Sequence, residues 1–479
     1  MRKTRIGLVA GAVGVVTAAV AMAGPGTSTG PSSSQSPYLV PTATGVSIKS
    51  ILTVGDSVNT KPDGTPYRLV GIPDGLGAFE NDDHRTFTLL ANHELTNAVG
   101  IPRAHGAIGA FVSKWTIDEK TLKVTRGEDL IQNIATWNTA TSTWNAPAKG
   151  IALSRLCSAN LVAKDGFYDR RTGKGTREHI FMSGEESGTE GRVFAHLLDG
   201  TSYELPHLGK LAWENSVANP GSGVATVVAA TDDGPGGQVY VYVGSKTATG
   251  NTVQRAGLAN GALFGIKVDG LPAETSAAIP APGTRFSLAA LGDVSGRTGA
   301  QLNTDSNTAG VTSFLRPEDS AWDPKHPNVL YFVTTNAFNS PSRLWKVVFD
   351  DVTKPELGGT ITTVLDGTEG QQMLDNITVN ERGQVVLLED IGNQTPLGKV
   401  WLYDARTDKL TQVAQHDPAR FTPGAAGFLT QDEESSGIIP APFLGKGWYL
   451  LDVQAHYGLG GELVEGGQVL AMRVKLDDD

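Results

Sequence analysis

Phe314-Leu315-Arg316-Pro317-Glu318-Asp319-Ser320, continued by Ala321-Trp322-Asp323-Pro324 and then by Asn328 to Asn336, is the stretch whose reading decides the fold. Pro317 excludes the middle of a helix or of a paired central ladder, because it lacks an N–H and its ring blocks the preceding turn. Arg316 and Glu318 are therefore predicted at a strand entrance. Two residues apart on an extended chain, they point to the same side. A Pro/Asn turn follows, then an apolar strand, Val329-Leu330-Tyr331-Phe332-Val333, that ends in polar residues.

The same design recurs along the chain. Apolar strands with similar endings are read at 86–94, 178–186, 238–244, 329–336, 384–390 and 448–456. Upstream of them lie Asp74, Cys157, Glu214, Glu318, Asp375 and the run Asp432-Glu433-Glu434, each opening an extended segment. Near-continuous apolar runs suit strands buried on both faces. Six such units, most preceded by Gly-, Asp-, Asn- or Pro-rich turns, predict an all-β fold, a six-bladed β-propeller. The innermost strand of every blade faces the axial channel, so the openings of six inner strands are predicted to converge at one mouth. That would gather five or more carboxylates and one thiol. Like charges so close cannot all stay ionised unless cations neutralise them. Hard oxygen ligands suit calcium, and an added thiolate favours iron or zinc. His93 and His456 lie at strand ends, but no His-x-x-x-His pair marks an isolated zinc site.

The 479 residues carry a formal charge of -11. Arg2, Lys3 and Arg5, an apolar run from Ile6 to Val20, and Ala21-Met22-Ala23 read as an export signal cut after Ala23. Residues 24–45 read as a flexible Gly/Ser/Thr/Pro-rich lead-in and 46–476 as a single propeller domain. Removing the signal takes away three basic residues and no acidic ones, moving the charge from -11 to -14. So acidic a surface argues against nucleic-acid partners, and no later segment is apolar enough to span a membrane. The expected product is secreted. A single cysteine, Cys157, excludes an intrachain disulfide; it reads as a small buried hydrophobe or as a metal ligand or reactive thiol. No phosphate-cradling P-loop and no convincing Rossmann fingerprint is present.

Each candidate has a plainer reading beside the chemical one. The planar fork of Arg316 suits a phosphate or carboxylate, and it equally suits an ion pair with Glu318 or Asp319. Glu185 and Glu186 close an apolar strand as Asn92-His93-Glu94 does, and such pairs are ordinarily solvated strand ends. Asp232-Asp233-Gly234 is a turn signal that can also ligate calcium.

Asn92-His93-Glu94 with Thr96-Asn97, the Glu185-Glu186 pair, Arg316-Pro317-Glu318 leading into Asp323-Pro324, and Val453-Gln454-Ala455-His456 together resemble the PhoX family of secreted bacterial alkaline phosphatases. The resemblance runs from about residue 45 to 475, and Cys157 lies where that family carries its metal-binding cysteine. It implies a six-bladed propeller holding an iron–calcium cluster that hydrolyses phosphate monoesters at alkaline pH. It assigns Cys157, Glu214 and Glu318 to iron, Glu94, Glu185, Glu186 and Asp233 to calcium, and Arg316 to the substrate phosphate. The implied partner is a small phosphorylated substrate and the implied state a monomer. Two departures stand out: Arg2-Lys3-Thr4-Arg5 lacks the adjacent arginine pair of the family's signal, and the residues around Cys157 and Glu214 follow the pattern loosely. The alternatives are a calcium-dependent propeller hydrolase of a phosphodiester, phytate or lactone, and a non-catalytic calcium-stabilised surface protein.

Overall fold

The computed structural model describes residues 26–475 apart from Lys164 and Pro235. The signal segment with its cut after Ala23, and the tail Asp477-Asp478-Asp479, lie outside the described residues. Antiparallel four-stranded meanders follow one another along the chain. The first is Pro73–Glu80, Thr86–His93, Phe111–Asp118 and Val124–Asp129. The second runs Leu156–Leu161, Ile180–Glu185, Val193–Leu197 and Thr201–Glu204. Trp213–Ala218, Ala225–Asp232, Val239–Ser245 and Ala262–Val268 make the third. Pro317–Trp322, Val329–Thr334, Arg343–Phe349 and Gly359–Leu365 make the fourth, and Thr284–Gly292 bridges the third to the fourth. The fifth is Leu374–Val379, Gln384–Glu389, Lys399–Asp404 and Lys409–His416. The sixth joins Glu433–Pro440, Trp448–Gly460 and Val464–Val474 to the N-terminal strand Val46–Thr53. The leading strand of each meander packs against the leading strand of the next, and the sixth packs against the first. The ring closes, and the all-β fold is a propeller.

Every seam between neighbouring meanders holds its own apolar cluster. In the first meander's second strand, Leu89 packs toward Leu450 and Val469 of the sixth meander, while Leu90 packs toward Phe181 and Phe194 of the second. In the fifth, Val385 and Leu387 join the seam with Tyr331 and Val333, and Val386 and Leu388 join Leu451 and Val453. These strands are apolar at successive positions because both faces are covered. Each fully buried Leu, Val or Phe contributes roughly 1.5–3 kcal/mol relative to exposure.

Two expectations are corrected. Residues 26–45 are not a loose lead-in: Thr27–Thr29 pairs parallel with the Val46–Thr53 strand, and Leu39–Pro41 pairs antiparallel with the Lys409–His416 edge. Tyr38 and Leu39 are buried, with the Tyr38 ring 5.6 Å from that of Phe421 in an edge-on contact. Strand pairing and two buried apolar residues hold a segment whose average composition is polar. The apolar run 238–244 is also displaced by one strand. Pairing with the Glu214 strand falls to Ala225–Asp232, whose alanines and threonines conceal it as a core strand, and Val239–Ser245 lies outside it.

Candidate metal centre

One register operates in all six meanders. The second residue of each leading strand is Asp74, Cys157, Glu214, Glu318, Asp375 or Glu434. The residue before each leading strand accepts, through its carbonyl, the N–H of a residue at the end of the neighbouring strand. The pairs are Glu94 to Ile72 (2.9 Å), Glu186 to Arg155 (2.8 Å), Asp233 to Ala212 (3.0 Å), Thr335 to Arg316 (3.1 Å), Asp390 to Met373 (3.0 Å) and His456 to Asp432 (2.9 Å). Two concentric sets of side chains result. The first is five carboxylates and a thiol; the second is four carboxylates, Thr335 and His456. In five meanders a β-bulge follows the leading residue, between Pro73/Leu76, Leu156/Ala159, Trp213/Asn215, Pro317/Ser320 and Leu374/Ile377. Bulges re-aim side chains, and they gather beside functional sites. Ile72, Arg155, Arg316 and Met373 take left-handed backbone angles (φ 51°, 46°, 59° and 44°), which L residues rarely adopt, so the bend is imposed by this packing.

The gathered atoms form four overlapping triads, each within 4.8 Å: Asp74/Glu94/Cys157, Cys157/Glu186/Glu214, Glu214/Glu318/Asp375 and Asp375/Asp390/Glu434. Gln454 closes the circle, its Nε2 donating to Asp74 (3.1 Å), Glu94 (3.2 Å) and Glu434 (3.3 Å). Cys157 Sγ lies within hydrogen-bond distance of both Glu214 (3.1 Å) and Asp74 (3.3 Å), with one S–H to share between them. Ser158 Oγ supports Glu214 at 2.7 Å, and Ser436 Oγ supports Asp74 at 2.7 Å. The close approach needs Gly75, where a β-carbon would stand 2.4 Å from the Ala159 backbone nitrogen on the next inner strand. Further along five of the inner strands the axis holds a cavity of about 200 Å³, lined in part by Ala159, Asn215, Val217, Ala321, Ile377 and Ile438.

Nine carboxylates and a thiol face two guanidiniums, Arg155 and Arg316. Burial, then the charge of Glu94, holds Asp74 well above the carboxylate range; burial and Asp375 do the same to Glu214. Glu318 is raised by burial and Asp233, and Asp375 and Glu434 by burial and Asp390. Glu186 is pushed up to about 8 by burial and Glu94. Burial and Asp74 push the Cys157 thiol up. Two like charges about 4 Å apart repel by roughly 4 kcal/mol at an effective dielectric near 20, so the set ionises together only with cations among it.

The donor set fits metal ions. It is mostly hard oxygen with one sulfur, and acceptors without donors lie beside it: among the described residues, Gln454 Oε1, Asn92 Oδ1, Asn215 Oδ1 and both Asp452 oxygens are buried with no hydrogen-bond partner. Cys157, Glu214, Glu318, Glu94, Glu186 and Asp233 are brought together. Glu185 is not: Arg192 Nε and Nη2 hold its two oxygens at 2.7 Å each, and Ser154 N donates at 3.0 Å. Adjacent residues at a strand end face opposite ways, and Glu186 takes the axial side. Arg316 pairs with Asp233 (2.7 and 2.8 Å) and Glu318 (3.1 Å), not with Asp319, which Ile377 N, Ser320 N and Asn215 Nδ2 occupy. Asp390, Gln454 and Arg155 escaped notice as site residues. The signal for Asp390 was there, since it ends its apolar strand as Glu94 and Glu186 end theirs.

No protein-family model and no curated protein matches the chain. Among solved structures, PhoX of Pseudomonas fluorescens in complex with vanadate, a transition state analogue, aligns with a TM-score of 0.58 at 13% identity, covering 91% of this chain and 97% of that one. A gluconolactonase of Xanthomonas campestris aligns with a TM-score of 0.37 at 10% identity, covering 95% and 99%. The first likeness is one of fold.

Proposed function

We propose that this chain is a secreted, monomeric, metal-dependent phosphatase of the PhoX kind that hydrolyses phosphate monoesters. The observation that carries the reading is the closed circle of ligand triads at one end of the inner strands, with a single thiol in it and Arg316 beside it. The fold shared with a phosphatase crystallised around vanadate supports the same reaction class. Cys157, Glu214 and Glu318 would hold iron; Glu94, Glu186 and Asp233 would hold calcium, joined by Asp74, Asp375, Asp390 and Glu434. When bound, these cations supply Lewis acidity and neutralise charge on the phosphoryl oxygens.

The remaining work belongs to the side chains. Arg316 is half exposed, whereas its partners Asp233 and Glu318 are buried, so its guanidinium faces both the acids and the solvent. With Nε and Nη2 held by Asp233 and Glu318, Nη1 is the nitrogen that would meet an oxygen of the transferred group and stabilise charge that grows there. In the reaction a water oxygen bonds to phosphorus as the ester P–O bond breaks, and the leaving oxygen departs with a proton. Ser158 and Gln454 keep the inner carboxylates oriented. No protein nucleophile is required.

The test is elemental analysis of the exported protein beside p-nitrophenyl phosphate turnover with and without calcium. Iron and calcium together, with calcium-dependent release of nitrophenol, are expected. A protein that binds calcium and melts higher with it, yet turns over no phosphate ester, would overturn the proposal.

A further inference from the structure

Resting on that reading, we propose that Arg155 is a second anion-binding guanidinium, which together with Arg316 selects phosphate monoesters over diesters. Arg155 is the positional twin of Arg316. Each stands two residues before an inner-set residue, Cys157 and Glu318, in the left-handed region at φ 46° and 59°. Each lends its carbonyl to the backbone N–H at the end of the next strand, Glu186 for Arg155 and Thr335 for Arg316. No other meander carries an arginine at this position; the remaining four have Ile72, Ala212, Met373 and Asp432.

The contacts match as well. Arg155 bridges Glu94 (2.7 Å) of the first meander and Glu186 of its own, while Arg316 bridges Asp233 of the third and Glu318 of its own. The two guanidinium side chains are 43% and 44% exposed, against 5–16% for those carboxylates. They cap the acid cluster on its solvent side. Arg155 Nη2 serves both carboxylates, and its Nε is buried without an acceptor among the described residues, so the exposed part of the guanidinium is what an anion would meet. Glu214, the residue shared by the two middle triads, lies on the inner strand between those of Arg155 and Arg316. Both guanidiniums reach back toward the preceding meander, Arg155 to Glu94 and Arg316 to Asp233, and the proposed anion is one that spans the two over the intervening strand of Glu214.

The consequence is selectivity. A monoester dianion has three terminal oxygens and can divide them between two guanidiniums and the cations beneath. A diester has two non-bridging oxygens and one charge, so with the cations beneath it leaves one guanidinium without an oxygen to bind. A site built to hydrogen-bond a group discriminates strongly against the analogue lacking it.

The test compares the wild type with Arg155→Ala and Arg155→Lys, each carrying its metals. Turnover is read on p-nitrophenyl phosphate and bis(p-nitrophenyl) phosphate, inorganic phosphate binding by calorimetry, and metal content by elemental analysis. Arg155→Ala is expected to lower kcat/KM on the monoester about 100-fold and on the diester far less. It should weaken phosphate binding about tenfold or more with metal content unchanged, and Lys should restore part of each, as a point charge without the fork. Equal losses on both esters, unchanged phosphate affinity, or loss of metal from the alanine variant would overturn the proposal; loss of metal would mean that Arg155 only balances Glu94 and Glu186. If the wild type hydrolyses neither ester while phosphate binding still depends on Arg155, the phosphatase reading fails and the anion site stands. If binding is also indifferent to Arg155, both fail.

Discussion

Cys157 and Glu185 show how much one side chain decides. The Cys157 thiol touches Asp74 and Glu214, and its proton is held by burial and by their charge. A metal held by Cys157 would displace that proton, because coordination deprotonates a thiol. Serine keeps the volume and the hydrogen bonds but not the soft ligand. Cys157→Ser is therefore expected to abolish iron binding, read by elemental analysis, while the far-ultraviolet circular dichroism of the propeller persists; iron retained at wild-type stoichiometry would remove Cys157 from the ligand set. Glu185 predicts the reverse. Glu185→Gln breaks a buried pair with Arg192 and should cost about 3 kcal/mol of stability in urea unfolding, with metal content unchanged. If it lost calcium instead, the side chain would belong to the axial set after all.

At the scale of the element, pairing and bulges turn a sequence pattern into a site. The bulge after Leu156 sets Cys157 on the axis, and the left-handed turn at Arg155 starts it. The N-terminal segment works differently, binding edges together. Tyr38 N–H donates to Gln468 Oε1 at 2.7 Å, Gln468 Nε2 returns a bond to the Ser36 carbonyl at 3.1 Å, and Arg420 reaches Ser36 Oγ at 2.7 Å. It thus ties the outer edge of the fifth sheet to the strands that close the ring. Deleting residues 26–41 exposes the pocket of Tyr38 and Leu39 and should cost about 4 kcal/mol, at 1.5–3 kcal/mol per buried side chain. An unchanged urea midpoint would show that the segment is dispensable to closure.

Across the whole molecule, the acid cluster makes stability depend on pH and on cations together. Glu186 is raised to about 8 and Asp319 to about 7, both chiefly by burial. A carboxyl whose folded pKa lies above its unfolded value binds more protons in the native state. Stability of the metal-free protein therefore falls as pH rises from the ordinary carboxylate range, near 4, through about 8. Calcium binds the ionised form and reverses the slope by mass action. Thermal melts of chelated protein from pH 5 to 9 should show a falling Tm that added calcium restores most at the alkaline end. A chelated protein whose Tm rises over this range would contradict the electrostatic account.

Sequence alone determined the strand-rich architecture, because uninterrupted runs such as 384–390 suit strands covered on both faces, and their recurrence in six units pointed to a radial repeat. It also determined that acids and a thiol open the inner strands, since Asp74, Cys157, Glu214, Glu318, Asp375 and Glu434 stand at the same place in each unit. Tertiary structure decided what depends on register and long-range pairing. Glu186 and not Glu185 reaches the axis, because one residue reverses the face of a strand. Residues 26–45 are anchored, because edges from the far end of the chain meet them. Arg155 and Arg316 both cap the acid cluster, because only the folded ring brings their carboxylate partners together. Local patterns set which faces are apolar; pairing over hundreds of residues sets where each carboxylate points.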